Sequence, residues 1–214
     1  MSSRNLIKAI TALLFLVVIG TPLFYLRQSV YPYIISKTLF FQALVELLFF
    51  LYLALAFFDA RYRPKRTPLM LAIGAFLMVL LLTAAFGADL WRSFWSTQER
   101  MLGIFAFLHF AAIFLVASSL SAEIPWKKLF YASLGTASFV SILAFLQLQN
   151  QNLLLVEPIG QRPGATFGNP TFFAGYLIFH IFLAVYFLFE PRRNTAPARR
   201  KSVPERLFLL GSLL

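Results

Sequence analysis

The sequence predicts an all-α, polytopic transmembrane helical bundle, and three observations predict it. Hydrophobic residues make up 60% of the chain and charged residues only 13%, with a mean hydropathy of +0.77, which excludes an ordinary soluble domain. Apolar runs of roughly 18 to 21 residues recur, each long enough for the ~30 Å hydrocarbon core of a bilayer. The alternating segments of a transmembrane barrel do not occur. The chain has no cysteine, hence no disulfide framework, thiolate metal site or cysteine nucleophile. Its two histidines lie far apart in apolar runs, without metal-ligand spacing, so neither a metal nor a cofactor is expected. The net charge of +11 comes from cations in short loops between the apolar runs. That pattern is a topology signal, with contact to anionic headgroups, and the expected partner is membrane, not nucleic acid.

Six complete spans are expected in order. The first, about Ile7 to Leu26, follows Arg4 and Lys8. Its apolar core is too long for a signal peptide, and Gly20-Thr21-Pro22 lacks a small-x-small cleavage pattern, so it is a retained anchor, with Pro22 kinking its outer end. The second, about Thr38 to Phe58, leads into a basic loop with Arg61, Arg63, Lys65 and Arg66. The third is about Leu69 to Phe86. After a polar, nearly neutral loop from Gly87 to Arg100 comes the fourth, about Met101 to Ser119, then a short loop with Lys127 and Lys128. The fifth is about Leu129 to Leu148, and the sixth, about Thr171 to Phe189, precedes a basic loop from Glu190 to Arg206. Leu207 to Leu214 is apolar but too short to cross, and it reads as the start of a seventh span. Residues 1–214 are thus read as a single transmembrane domain, the N-terminal part of a longer protein. Counted by side, 14 of the 19 Lys and Arg residues fall with the N-terminus, which places that end in the cytoplasm. The loops holding Arg100 and Arg162 then face outward.

One polar stretch between apolar runs is not simply charged: Gln161-Arg162-Pro163-Gly164-Ala165-Thr166-Phe167-Gly168-Asn169-Pro170-Thr171. Asn169 is a good N-cap and Pro170 suits the first helical position. A helix should start there under a glycine-rich loop. Free backbone N–H groups and the positive end of the macrodipole would make this terminus an anion site. Arg162, the stretch's only cation, adds a fork suited to phosphate.

Two stretches together resemble the O-antigen ligase and O-antigen polymerase superfamily of bacterial membrane glycosyltransferases. The first runs from Phe86-Gly87-Ala88-Asp89 through Ser93-Phe94-Trp95 to Glu99-Arg100-Met101-Leu102-Gly103-Ile104-Phe105. The second is Arg162-Pro163-Gly164-Ala165-Thr166-Phe167-Gly168-Asn169-Pro170, ending in Ala174-Gly175-Tyr176-Leu177, with Thr171 where the family more often has Asn. The resemblance covers about spans one to six. It implies an enzyme of the bacterial cytoplasmic (inner) membrane and cell envelope, working in polysaccharide biosynthesis. Such an enzyme takes a glycan from a polyprenyl diphosphate carrier, such as undecaprenyl diphosphate, and transfers it outside the cytoplasm to an acceptor lipid, glycan or protein. It uses no nucleotide sugar or metal. The acceptor base of the family usually lies beyond the sixth or seventh span, hence downstream of Leu214. A fragment ending there is expected to be inactive alone.

Metal-free departure of a diphosphate needs arginines and helix N-termini to hold the developing charge. Arg162, Arg100, Gly164, Gly168 and Asn169 are therefore the candidate substrate-binding residues. The plainer alternative makes Arg162 a membrane-boundary marker and the glycines a turn. Arg100 at the start of the fourth span opposes the helix dipole, partly offset by Glu99, and is either a second phosphate contact or an interfacial cation. Glu46, roughly 12 Å deep at ~1.5 Å per residue, shares its helix face with Gln42. Together with His109 and His180 at similar depth it suggests a buried polar layer, holding spans together or tuning a site above. Trp91, Trp95, Trp126, Tyr31, Tyr33 and Tyr62 read as interfacial aromatics. Trp91 and Trp95 are also placed to stack on sugar. Asp89 and Glu99 are outer carboxylates whose separation sequence does not give. A transporter or lipid flippase, or a non-catalytic member of the same fold, are the alternatives, although no internal repeat is visible.

Overall fold

The computed structural model describes residues 2–149 and 162–190. Within them the chain is all-α, with seven α-helices: α1 Ser3–Leu23, α2 Ile34–Phe58, α3 Pro68–Ala85, α4 Leu90–Trp95, α5 Ile104–Ser119, α6 Trp126–Gln149 and α7 Pro170–Phe189. Short 3-10 turns occupy Ala60–Tyr62 and Ala165–Phe167. Five helices (α1, α2, α3, α6 and α7) are long and apolar enough to cross a membrane, so this is a multi-pass membrane protein. The chain groups into two compact units, Met1–Pro125 and Trp126–Leu214. The apolar run 207–214 and most of the second basic loop lie outside the described residues.

The helix limits differ from hydropathy in instructive ways. The first helix starts at Ser3, not Ile7, because Ser2 caps it through Asn5 N–H. The fourth apolar run yields only the 16 residues of α5, about 24 Å at 1.5 Å per residue, which is short of a hydrocarbon core. Met101 has φ 49 and Gly103 is extended, so the helix cannot begin where the apolar run does. One expected complete span is therefore a shorter helix. Lys127 and Lys128 sit in the first turn of α6, not in a loop. There Lys127 Nζ reaches Glu190 Oε2 at 3.2 Å, and that carboxylate offsets a cation at the positive end of the helix. The expected loop from Gly87 to Arg100 contains α4, which Asp89 caps through Arg92 N–H at 2.8 Å. Thr67 caps α3 in the same manner, with Pro68 at its first position.

In the first unit, α2 packs against both α1 and α5. Ile10, Val45, Leu48, Leu55 and Val116 are fully buried. Near Pro22 the end of α1 lies close to α2. Gly20 lets the Phe40 ring approach, and Phe40 stacks on Phe24 with centroids 4.3 Å apart. Lys37 Nζ then donates to the carbonyls of Thr21, Pro22 and Phe24 at 3.2, 2.7 and 2.8 Å. One α2 side chain thus satisfies three acceptors that the end of α1 leaves without helical donors. At the other end of α2, the buried Tyr52 hydroxyl donates to Tyr62 O (3.1 Å) and contacts Ser119 Oγ (2.9 Å). This ties α2, the Ala60–Tyr62 turn and the end of α5 together. In the second unit, α6 and α7 pack through Leu134, Ala184 and Phe187, flanked by Tyr131 and Leu183.

Asp59 ends α2 and starts the Ala60–Tyr62 turn. Its carboxylate accepts from Arg61 N–H (3.2 Å), Nε–H (3.0 Å) and Nη2–H (2.7 Å). The Arg61 side-chain hydrogen bonds are the main reason its pKa falls from an ordinary 3.8 to about 2.

Two outcomes follow. Lys37→Leu strands three carbonyls and should lower the unfolding free energy of the detergent-solubilised protein by roughly 2–3 kcal/mol, read from denaturant titration. The Asp59–Arg61 contribution is fully present above the unfolded value of 3.8 and is lost as pH falls through about 2. Acid titration of the fold should therefore show a loss in this window that Asp59→Asn removes.

Candidate functional site

The second motif loop folds back over the start of α7. Gly164, Ala165 and Thr166 are buried, while Arg162 is exposed at the mouth of the loop. A Cβ on Gly164 would sit 2.8 Å from Gly168 C and 2.9 Å from Asn169 N. Only glycine permits that approach of backbone to backbone. Gly168 has φ 68, in the left-handed region, and turns the chain into the helix. Asn169 Oδ1 then accepts from Thr171 N–H at 2.8 Å, with Pro170 at the first helical position. Beneath the loop, Gln147 of α6 is 1% exposed, and its Oε1 accepts from Ala165 N–H at 3.0 Å. Sequence reasoning missed Gln147, because its partner, Ala165 N–H, lies 18 residues away. Below it the Phe167 ring contacts Tyr176 (4.8 Å), and Tyr176 contacts His180 (4.1 Å). The loop is thereby connected to α7 for its first three turns.

As an anion site this terminus differs from the sequence expectation in one respect. Pro170 has no N–H, and Thr171 N–H is already taken by the cap. The terminus offers its dipole field more than free donors, so a bound anion would depend mainly on Arg162.

The first motif loop is built on the same device. A Cβ on Gly103 would collide with the Phe94 carbonyl oxygen, so the start of α5 lies against the α4 backbone. Ser93 Oγ donates to Asp89 O at 2.8 Å. Trp95 packs on Phe105 at 4.8 Å and on Trp91 at 5.7 Å, so Trp95 is partly occupied by protein contacts. Arg100 is exposed. It lies in the Thr97–Met101 turn ahead of α5, not in the first helical turn. Ser96 (φ 66), Met101 (φ 49) and Ala165 (φ 46) are the described non-glycine residues with positive φ. All three fall in the two motif loops. Backbone held in such regions carries strain of roughly 1–3 kcal/mol per residue and concentrates at ligand sites and switches.

Glu46 and His109 meet within the first unit: His109 Nε2 lies 3.2 Å from Glu46 Oε1. The His109 side chain is 7% exposed but that of Glu46 is 51% exposed, so Glu46 lies at the edge of the helix pair. Gln42, a turn earlier, is buried. The pair borders a groove of about 400 Å³ walled by Phe49, Phe50, Phe105 and Ala112. His180 is buried in the second unit, where Ser133 Oγ meets its Nε2 at 2.7 Å. A second cavity of about 430 Å³ lies by the Ala60–Tyr62 turn. Its Arg61 is committed to Asp59, and its Glu123 accepts from the Tyr62 hydroxyl at 3.4 Å. Among the described residues no three His, Asp or Glu side chains gather to hold a metal ion.

No family model matches the chain, and neither the curated proteins nor the solved structures contain a match to it.

Substituting the glycines separates close approach from mere turn. Gly103→Ala and Gly164→Ala should lower the melting temperature in detergent, by an overpacking cost of roughly 1–3 kcal/mol. Gly175→Ala, with nothing within 4 Å of its Cβ position, should be neutral or stabilise by about 0.5–1 kcal/mol. Equal melting of the Gly164 and Gly175 variants would contradict the packed loop.

Proposed function

We propose that the protein is the membrane part of an O-antigen ligase-like glycosyltransferase. It moves a glycan from a polyprenyl diphosphate to an acceptor hydroxyl on the extracytoplasmic face of a bacterial inner membrane, with its N-terminus in the cytoplasm. In the reaction the bond between the sugar anomeric carbon and the diphosphate oxygen breaks, and a bond to the acceptor oxygen forms. The hydroxyl proton passes to a base, and the diphosphate departs with added negative charge. Arg162, in the loop ahead of α7, stabilises that charge, with Gly164, Gly168 and Asn169 shaping the loop that carries it. Arg100, in the first motif loop, is proposed on its own ground as a further phosphate contact.

The observation that carries this reading is the construction of the second motif. Its glycines, Asn-Pro cap and buried Gln147 hold a strained loop over a helix N-terminus while the single arginine stays exposed. A boundary arginine followed by an ordinary turn needs none of that. The transporter or flippase alternative draws on one feature, the Glu46–His109 pair inside the helices.

In membrane vesicles containing the full-length protein and supplied with a polyprenyl diphosphate-linked glycan, Arg162→Ala should lower transfer roughly 10²–10³-fold, as loss of a leaving-group stabiliser does. Arg162→Lys should recover part of it, and membrane insertion should be unchanged. Full activity of Arg162→Ala would remove the proposal. Movement of intact lipid-linked glycan across the vesicle, with no transfer by the wild type, would favour the transporter.

A further inference from the structure

Glu46 lies midway along α2, and His109 lies in the second turn of α5. His109 Nδ1 is 2.7 Å from the Phe105 carbonyl oxygen, and Nε2 is 3.2 Å from Glu46 Oε1. A carbonyl oxygen only accepts, so Nδ1 carries a hydrogen. A neutral imidazole has a single N–H, and its other nitrogen is then an acceptor. With an ionised Glu46, two lone pairs would face each other at Nε2 and Oε1. The contact is attractive only when one more proton is present. That proton sits either on Nε2, giving imidazolium and carboxylate, or on Oε1, giving imidazole and carboxylic acid.

His180 shows that the backbone bond alone does not demand this. Its Nδ1 lies 2.8 Å from Tyr176 O, the same four-residue geometry. Its Nε2, however, faces the Ser133 hydroxyl at 2.7 Å, which brings its own hydrogen. A neutral His180 satisfies both contacts; a neutral His109 beside an ionised Glu46 does not.

We propose that Glu46 and His109 form a binding site for one exchangeable proton in the middle of the α2–α5 pair. The loaded pair is net neutral, which suits apolar surroundings, where a lone carboxylate is disfavoured. The proton enters from the Glu46 side, because that side chain is half-exposed on the groove while His109 is enclosed. No other titratable side chain lines the groove. Of the elements packed on α2 and α5, α3 carries no titratable residue. The charges of α1 are Arg4 and Lys8 in its first two turns, and α4 carries only Arg92. Within α2, Lys37 is engaged by carbonyls of α1, and Tyr52 by Tyr62 and Ser119. In the Ala60–Tyr62 turn, Arg61 is held by Asp59 and Tyr62 by Glu123. Loss of the proton sets two acceptors against each other and weakens the α2–α5 contact, which makes that contact proton-dependent. The proposal does not rest on glycan transfer.

The test uses the protein in phosphatidylcholine vesicles, with ¹⁵N in histidine. His109 nitrogen shifts report whether one or both ring nitrogens are protonated, and infrared difference spectra against Glu46→Gln report a protonated carboxyl. Two results near neutral pH support the site: a doubly protonated His109, or a neutral His109 with a carboxylic-acid band that vanishes in Glu46→Gln. A neutral His109 beside an ionised Glu46 overturns it. Glu46→Gln keeps the contact, because its amide donates to a neutral Nε2. That variant should bind one proton fewer per chain and lose the pH dependence of the His109 signals. Unchanged His109 titration in Glu46→Gln would equally refute the proposal.

Discussion

The constraint on which the fold depends is that polar groups inside apolar helices must find partners without help from water. Lys37 shows it most directly, by covering three carbonyls at the end of α1. Pro22 sits in that last turn, where helical donors run out. The same constraint sends Thr136, Ser138 and Ser141 of α6 back to the carbonyls four residues earlier. It also sends both histidines to theirs. Exceptions exist, since Thr21 Oγ1 and the Tyr176 hydroxyl are buried without a hydrogen bond. Arg100, Arg162 and Glu46 are exposed on their units, as most charged side chains are, so their place in the motif loops and beside His109, not their exposure, singles them out.

The two motif loops share a physical device that neither reveals alone. In each, one glycine lets a strand of backbone pass within contact of another just ahead of a helix. Gly103 does so against Phe94, and Gly164 does so against Gly168 and Asn169. Non-glycine residues are held at positive φ in both, Ser96 and Met101 in the first and Ala165 in the second. Such a loop is rigid because it is overdetermined by its contacts. Rigidity of this kind positions a cation far better than a flexible turn does.

Much of the fold was legible because hydropathy reports which residues leave water. It does not report where a backbone can turn helical. Ser2 and Thr67 set helix starts by capping, and Met101 and Gly103 delay α5 by their φ and ψ, so the fourth apolar run gives a shorter helix than its composition suggests. Lys37 was legible only as a loop cation for counting topology, since its three acceptors come from another helix. At the candidate site, Asn169 and Pro170 act as their residue types predict. Gln147 was invisible because its partner, Ala165 N–H, lies 18 residues away. Similar depth suggested a buried layer of Glu46, His109 and His180, whereas the contact of Glu46 with His109, 63 residues apart, and the exposure of Glu46 depend on helix rotation that sequence does not fix.

The cap of α7 also ranks the contributions an anion would meet there. An Asn N-cap contributes about 1 kcal/mol to its helix, and it already holds Thr171 N–H. Displacing it would return no more than the anion gains from that donor. The dipole field acts on the anion without displacing anything, but contributes only about 0.3–1 kcal/mol at an exposed terminus. A guanidinium can form two parallel, charge-assisted bonds to a diphosphate, roughly twice as strong as neutral ones. For such an anion the helix start would orient and bias, while the arginine would supply most of the attraction. An arginine placed ahead of two close-packed glycines, outside the capped turn, would not compete with the helix start for the same donors on a shared ligand.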